Sequence, residues 1–298
     1  MLKKIGIAML IIASLGIAAT TNESKQIKFH KTFKESNQVN KNLSNEDKEI
    51  INIAINFVNE YIQLKNPDEF DKWFAKAPIT EKFRKEYFRK EKYIDFMINE
   101  VMPIIKKENL AQFCDIWCDE GYYDANDCYK VLEAGLENNM LPTLHTECYS
   151  AIGGTKVAAE LKAANVGHLN YISLEDIKLL KEANIVGVLI PSTDFSVKHK
   201  KPFDPKPMLD EGMTIAIATN LNPGNWVEDM GISMILACRN HKMTENEAIR
   251  AATLGGAKAL KIEKDYGSLE IGKFADIQIR NSDNYKNVVY KFGVNEVE

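Results

Sequence analysis

From residue 93 onward, apolar positions along the chain alternate between two rhythms. Stretches with apolar residues every three or four positions, at 93–107, 124–139, 154–163 and 173–183, predict amphipathic helices. Between and after them stand short apolar runs at 111–117, 141–148, 165–169, 185–190 and 214–219. Runs such as IVGVLI and TIAIAT are nearly uninterrupted and β-branched, the pattern of parallel strands covered on both faces. Strands alternating with helices predict an α/β architecture. Two further helices are predicted at 226–242 and 244–261. The chain then runs into GSLEIGKFADIQI, where a Gly-Ser turn, a Gly-Lys turn and an alternating strand predict a small β element packed outside the main body.

Five strand–helix units are too few for a closed barrel, which needs eight and about 250 residues. The expected fold is therefore a partial TIM-like (β/α) barrel. The strand at 111–117 is left as an uncovered parallel edge, a template for pairing with another chain and hence a route to a homo-oligomer.

The first ninety residues follow a different pattern. Residues 1–20 (MLKKIGIAMLIIASLGIAAT) carry two lysines, an apolar run and then small residues, the layout of a secretory signal cleaved after Ala18 or Ala19. Residues 21–43 are polar and read as a linker. Ser44 offers an N-cap for an amphipathic helix running to Ile62, and Asn66-Pro67-Asp68 ends it. Residues 70–92 are densely charged and predict a solvated surface helix. The expected division is 1–20 signal-like segment, 21–91 linker and helical region, 92–262 partial barrel, and 263–298 C-terminal β element.

Composition narrows the partners. With 45% hydrophobic and 27% charged residues, the 298-residue chain is neither a disordered nor a multi-pass membrane sequence. A net charge of −4 offers no general attraction for nucleic acid. The cysteines number five, so a disulfide scaffold is not implied, and an odd count sits awkwardly with export to an oxidising compartment. Cys114 and Cys118 share one strand face, no CxxC pair exists, and buried thiols are the expectation.

Candidate chemistry gathers at the C-terminal ends of the predicted strands, where βα loops of such folds converge on a pocket. His145 in LPTLHTE and His168 in NVGHLNY occupy such ends in consecutive units. Asn220, Asn222 and Gly224 in ATNLNPGN supply amides and exposed backbone at a third end, although Asn-Pro-Gly forms loops without any ligand. A lone histidine near a strand end is more often structural, and two in consecutive units are better evidence than one. His30, His199 and His241 stand in polar segments and are expected to be solvated.

The blocks FCDIWCDEGYY, LHTECYSAIGGTKVAAEL, VGHLNYIS, AIATNLNPG, EAIRAATLGGAKAL, GSLEIGKFADI and YKFGVN carry a resemblance over about two-thirds of the chain. In this order they resemble the imidazolonepropionases, metal-dependent amidohydrolases that hydrolyse the cyclic amide of 4-imidazolone-5-propanoate to N-formimidoyl-glutamate in histidine degradation. The resemblance implies zinc or iron as cofactor, His145 as a metal ligand and His168 as the group assisting attack on the ring carbonyl. It implies Asn222, Gly224 and Asn225 as substrate-binding positions. The chain also departs from the family pattern. The His-x-His pair of the first barrel strand is absent, and the FAKAP stretch near 74–78 has no counterpart of the family's Gly-Ala-His. The aspartate that serves as base and last ligand is replaced by Asn220, and the substrate-contacting glutamate by Cys148, beside Glu147. An amide offers an oxygen but takes no proton from water at pH 7.

The missing strands and the signal-like start together suggest a different exported protein's beginning joined to the last five units of a cytoplasmic enzyme. The N-terminal WFAKAPITEKFRKEY stretch is similar to small exported bacterial proteins. Two functions follow. One is an imidazolonepropionase-like hydrolase acting on a small-molecule substrate, impaired in this chain. The other is a non-catalytic exported ligand-binding or accessory protein built on a degenerate barrel.

Overall fold

The computed structural model describes residues 90–294 and 297, apart from 223–224. The signal-like segment, the linker, the helix ending at Ile62 and nearly all of the charged helix lie outside the described residues, as does Gly224. The chain divides into two compact units, Met1–Phe96 and Met97–Glu298. Of the first, helix α1 (Lys90–Phe96) is described.

The second unit opens with a π-helical turn (Met97–Val101) and α2 (Met102–Glu108), which closes on Asn109 in the left-handed conformation. Five parallel strands follow: β1 (Phe113–Cys118), β2 (Leu141–Thr146), β3 (Asn165–His168), β4 (Val186–Leu189) and β5 (Ile215–Ile217). They pair in sequence order, β1-β2-β3-β4-β5, with Trp117 beside His145 and Thr146 beside His168. Each neighbouring pair is joined by helical crossovers: α3 (Ala125–Glu137), α4 (Gly154–Glu160), α5 (Leu174–Glu182), and then α6 (Pro191–Ser196) with α7 (Lys206–Asp210). Five consecutive parallel strands with helical crossovers form the expected barrel segment. Among the described strands β1 pairs only with β2, its last residue also bridging Tyr123, and the sheet stays open.

Local chemistry explains the boundaries. Asp124 caps α3 by accepting from the amides of Asn126 and Asp127 at 3.0 Å, and Asp127 reaches back to the Asp124 amide. Ser173 caps α5 through the Asp176 amide at 3.1 Å. The predicted helix at 226–242 begins later, as α8 (Met230–His241), because Asp229 accepts from the Gly231 amide at 2.6 Å and sets the N-cap there. The predicted helix at 244–261 is split into α9 (Glu245–Arg250), a π turn (Ala251–Gly255) and α10 (Gly256–Ala259). The π turn packs on β5, and Gly255 lies so close that a Cβ there would overlap the Ile215 carbonyl oxygen. The short helices α6 and α7 were not expected; each has a proline in its first turn, where a missing N–H costs nothing.

Cys114, Ile116 and Cys118 point to the buried face beneath α3, while Asp115 and Trp117 point to the other face. β2 repeats the pattern, burying Pro142, Leu144 and Thr146 and leaving Thr143 and His145 half-buried opposite. All five cysteines are free thiols, four of them buried. Beyond α10 the expected alternating strand is not formed among the described residues, where β strands end with β5 and a single antiparallel bridge joins Arg280 to Val297; the tail also carries a turn at Ile271 and Gly272 and a 3₁₀ turn (Tyr285–Val289).

Candidate active site at the strand ends

His145 stands on the half-exposed face of β2, and its Nδ1 lies 2.8 Å from Asp115 Oδ2 on β1. Thr143 also donates to Asp115, at 2.8 Å. A carboxylate only accepts, so Nδ1 carries the proton and Nε2 of the neutral ring keeps its lone pair. Burial pulls the His145 pKa down, but the hydrogen bond and charge of Asp115 outweigh it and leave it raised.

His168 closes β3. Strand alternation would place it with its register partner Thr146, on the face beneath the helices. Instead His168 (φ 77°) and Leu169 (φ 63°) are both left-handed. That break turns the imidazole toward His145, with ring centroids 5.5 Å apart, and toward Trp117 at 6.4 Å. Consecutive left-handed non-glycine residues are uncommon and persist only where the surroundings impose them. Burial, reinforced by the neighbouring His145 charge, lowers the His168 pKa to about 4, so the ring is neutral at pH 7. Trp117 stacks on Tyr122 at 3.7 Å and tilts against Tyr149 at 6.2 Å, forming an aromatic wall beside the two histidines.

The loops are held by carboxylates that pattern reading did not single out. Asp119, fully buried just after β1, accepts from the amides of Cys148 and Tyr149 at 2.9 Å, from the Glu120 amide at 3.1 Å and from Ser150 Oγ at 2.5 Å. Asp194 accepts from Asn170 Nδ2 and from the Phe203 amide. Their signal in the sequence was faint: an aspartate directly after an apolar run, and an aspartate in the first turn after a Pro-Ser pair.

The remaining expected site residues are committed elsewhere. Asn220 (φ 50°) donates from Nδ2 to Thr193 Oγ1 at 2.9 Å. Asn222 donates to the Asn220 carbonyl at 2.7 Å. Asn225 is buried, with Nδ2 on the Thr219 carbonyl at 2.8 Å and Oδ1 accepting from Ser196 at 2.7 Å, so its amide braces the loop after β5. Cys148 is buried with its thiol 3.9 Å from His199 Nε2. Burial, with Asp119 and Asp194 adding to it, pushes that thiol up to about 12.

Two expectations are overturned. His199 and His241, placed in solvent because their flanking residues are polar, are both buried. His199 accepts the Lys201 amide on Nδ1 at 3.1 Å and stacks on Tyr149. His241 lies flat on Phe203, centroids 3.8 Å apart, and donates from Nδ1 to the Phe203 carbonyl at 3.0 Å. Loop folding, which local composition does not encode, covers both rings.

His241 leads to a pH prediction. Its buried Nε2 has no hydrogen-bond partner, and burial lowers its pKa despite the Phe203 carbonyl and the Asp194 and Asp204 charges. The unfolded chain therefore binds a proton near pH 6.5 that the fold resists. The stability of the neutral ring is fully present above that pH and declines as pH falls below it. Melting temperature should drop on acidification from pH 7 to 5, and His241→Phe should flatten that drop; equal slopes in the two proteins would refute the assignment.

The resemblance implies a metal, and the described donors at these strand ends do not converge on one. Among the described residues no group of three or more His, Cys, Asp or Glu side chains is disposed to hold a metal ion. His145 keeps a lone pair on Nε2, its Nδ1 held by Asp115 as that of a metal-ligating imidazole commonly is, but it has no companion ligands there, and the Asn220 amide donates to Thr193. The described residues do not fit a four-ligand mononuclear site. A groove of about 1280 Å³ between α8, α9 and the tail is lined by none of these strand-end residues.

Comparison with known proteins places this geometry. The model of the amidohydrolase family matches residues 107–295. Curated proteins named imidazolonepropionase are similar: 35% identity over 238 residues in Alkaliphilus oremlandii, covering 80% of this chain and 56% of the relative. In Bacteroides fragilis the identity is 37% over 208 residues (70% and 50%), and in Phocaeicola vulgatus 38% over 211 residues (70% and 51%). The chain thus spans about half the length of the curated relatives it matches. Among solved structures, a triazine hydrolase variant superposes with a TM-score of 0.55 at 14% identity, covering 68% of this chain and 53% of that one. A mutant atrazine chlorohydrolase from Arthrobacter aurescens, complexed with zinc and atraton, gives 0.54 at 15% (68% and 53%). At such identities these two establish the likeness of fold alone.

Proposed function

Because the chain belongs to the amidohydrolase family, we propose that it is an imidazolonepropionase-type protein whose strand-end face binds the cyclic amide 4-imidazolone-5-propanoate and whose hydrolytic turnover is impaired. The observation that carries the reading is the convergence of His145 and His168, rings 5.5 Å apart, with Asp115 orienting the first. Identity of 35–38% to proteins of that name supports the substrate class.

The proposed roles follow from protonation. His168, neutral at pH 7, acts as a hydrogen-bonding partner for the ring carbonyl rather than as a cation. His145, its Nδ1 proton held by Asp115, presents Nε2 to the same space. The wall of Trp117, Tyr122 and Tyr149 suits a planar ring. Impairment rests on the absence, among the described residues, of a group that can both hold a metal and deprotonate water.

Calorimetric titration of the full chain with the substrate tests binding separately from turnover. His168→Ala should weaken binding by about tenfold, in line with the loss of a hydrogen bond to a polar buried partner, while the exposed Lys206→Ala should leave it unchanged. No binding by the wild-type chain, or binding indifferent to His168, would overturn the reading.

A further inference from the structure

The tail segment 276–280 reads Asp-Ile-Gln-Ile-Arg, and among the described residues it is not part of the five-stranded sheet. Among the described residues no backbone hydrogen bond involves 275–279. Ile277 and Ile279 are 57% and 66% exposed, and Leu269, Ile271 and Phe274 just before them are exposed as well. Exposed apolar, β-branched residues on an extended segment normally find a strand partner or aggregate.

The charges show which partner fits. Asp276 and Arg280 have no ion-pair partner among the described residues; Arg280 reaches only Gln278 Oε1, at 3.5 Å, and its Nε is buried without a partner. Acid stands at one end of the segment, base at the other and a neutral amide in the middle. A strand with that order is complementary to itself when reversed.

We propose that two copies of this chain associate by antiparallel pairing of segment 276–280 about a twofold axis. Asp276 then faces the partner's Arg280, Ile277 faces the partner's Ile279, and Gln278 faces the partner's Gln278. Twofold symmetry makes the Asp276–Arg280 and Ile277–Ile279 contacts each occur twice and sets the Gln278 pair on the axis, as closed dimers allow. Cross-strand pairs of opposite charge and of β-branched residues both stabilise such pairing. A slip of one residue would set each isoleucine against Asp276, Gln278 or Arg280, so the register is specified. Arg280 already forms an antiparallel bridge with Val297 on one side, and the partner strand takes the opposite edge. The surface is distinct from the open edge of β1 and does not depend on the chemistry at the strand ends.

The test is sedimentation of the full chain at roughly 0.1 mM, a concentration suited to a small interface. Wild type should form a dimer. Asp276→Arg and Arg280→Asp each place like charges opposite one another twice and should weaken the dimer by roughly tenfold or more. Mixing the two variants restores both opposite-charge pairs, and the mixture should dimerise where neither variant does alone. Independently, Gln278→Cys should give a disulfide-linked dimer on oxidation, since that residue meets itself on the axis. A monomeric wild type, a dimer indifferent to both charge reversals, or a mixture that stays monomeric while Gln278→Cys does not cross-link would overturn the proposal. Such results would point instead to residues 1–89 or another protein as what covers the segment.

Discussion

Supplied with 4-imidazolone-5-propanoate and either zinc or iron, the purified chain is expected to hydrolyse it at least about a thousandfold more slowly than a full-length imidazolonepropionase; a missing general base alone accounts for roughly 10²–10⁴. Hydrolysis of this kind needs a group that activates water and a group that accepts its proton. Asn220 stands where the resemblance implies that base, and its side-chain amide donates to Thr193 Oγ1. Asn220→Asp is well suited to test the point, because an aspartate there can accept from the Thr193 hydroxyl and the loop after β5 keeps its Asn225 brace. Folding should survive the change, and activity should rise little, since His145 would remain without companion ligands among the described residues. The assay is loss of imidazolone absorbance for wild type, Asn220→Asp and His145→Ala. Strong metal-dependent turnover by wild type that disappears in His145→Ala would show that ligands come from outside the described residues.

Two adjacent glycines should respond to alanine with opposite signs. A Cβ on Gly255 would overlap the Ile215 carbonyl oxygen and sit 3.2 Å from Ala216 Cα, both backbone atoms of β5. Backbone cannot rotate aside as a side chain can, so the π turn must lift from the sheet. Overpacking of this kind costs about 3 kcal/mol, equivalent to a melting temperature lower by roughly 10 °C in a domain of this size. A Cβ on Gly256 meets nothing nearer than the Ala251 carbonyl oxygen at 4.0 Å, and its conformation is helical. Alanine there should raise stability by about 0.4–1 kcal/mol by restricting the unfolded chain. Thermal unfolding of the two variants decides the matter; an unchanged melting temperature for Gly255→Ala would mean that the turn and β5 are not held at that distance.

Much of the fold was legible in the order of residues, and the reasons are local. Ile185–Ile190 and Thr214–Thr219 are nearly uninterrupted by strongly polar residues and rich in β-branched ones because both faces of a parallel strand are covered, and β4 and β5 fall within them. The ranges predicted from apolar spacing begin at 124 and 173, the residues that cap α3 and α5, because capping is settled by a side chain and an amide two or three positions on. The helix predicted over 244–261 was less well read: its π turn is imposed by contact with β5, a neighbour thirty or more residues away in the chain.

The sequence by itself determined the α/β class, the five units, the places where strands end, and the presence of His145 and His168 at two adjacent ends. These depend on periodicity and on short-range capping, which a linear pattern records. Only the tertiary structure decided which face each end residue serves. The left-handed backbone at His168 turns its ring toward His145; the strand register brings Asp115 within hydrogen-bonding distance of that histidine. Loop closure buries His199 and His241, and Thr193 takes up the amide of Asn220. Each of these is a contact between residues distant in sequence or a single torsion angle, and neither leaves a periodic trace in the chain.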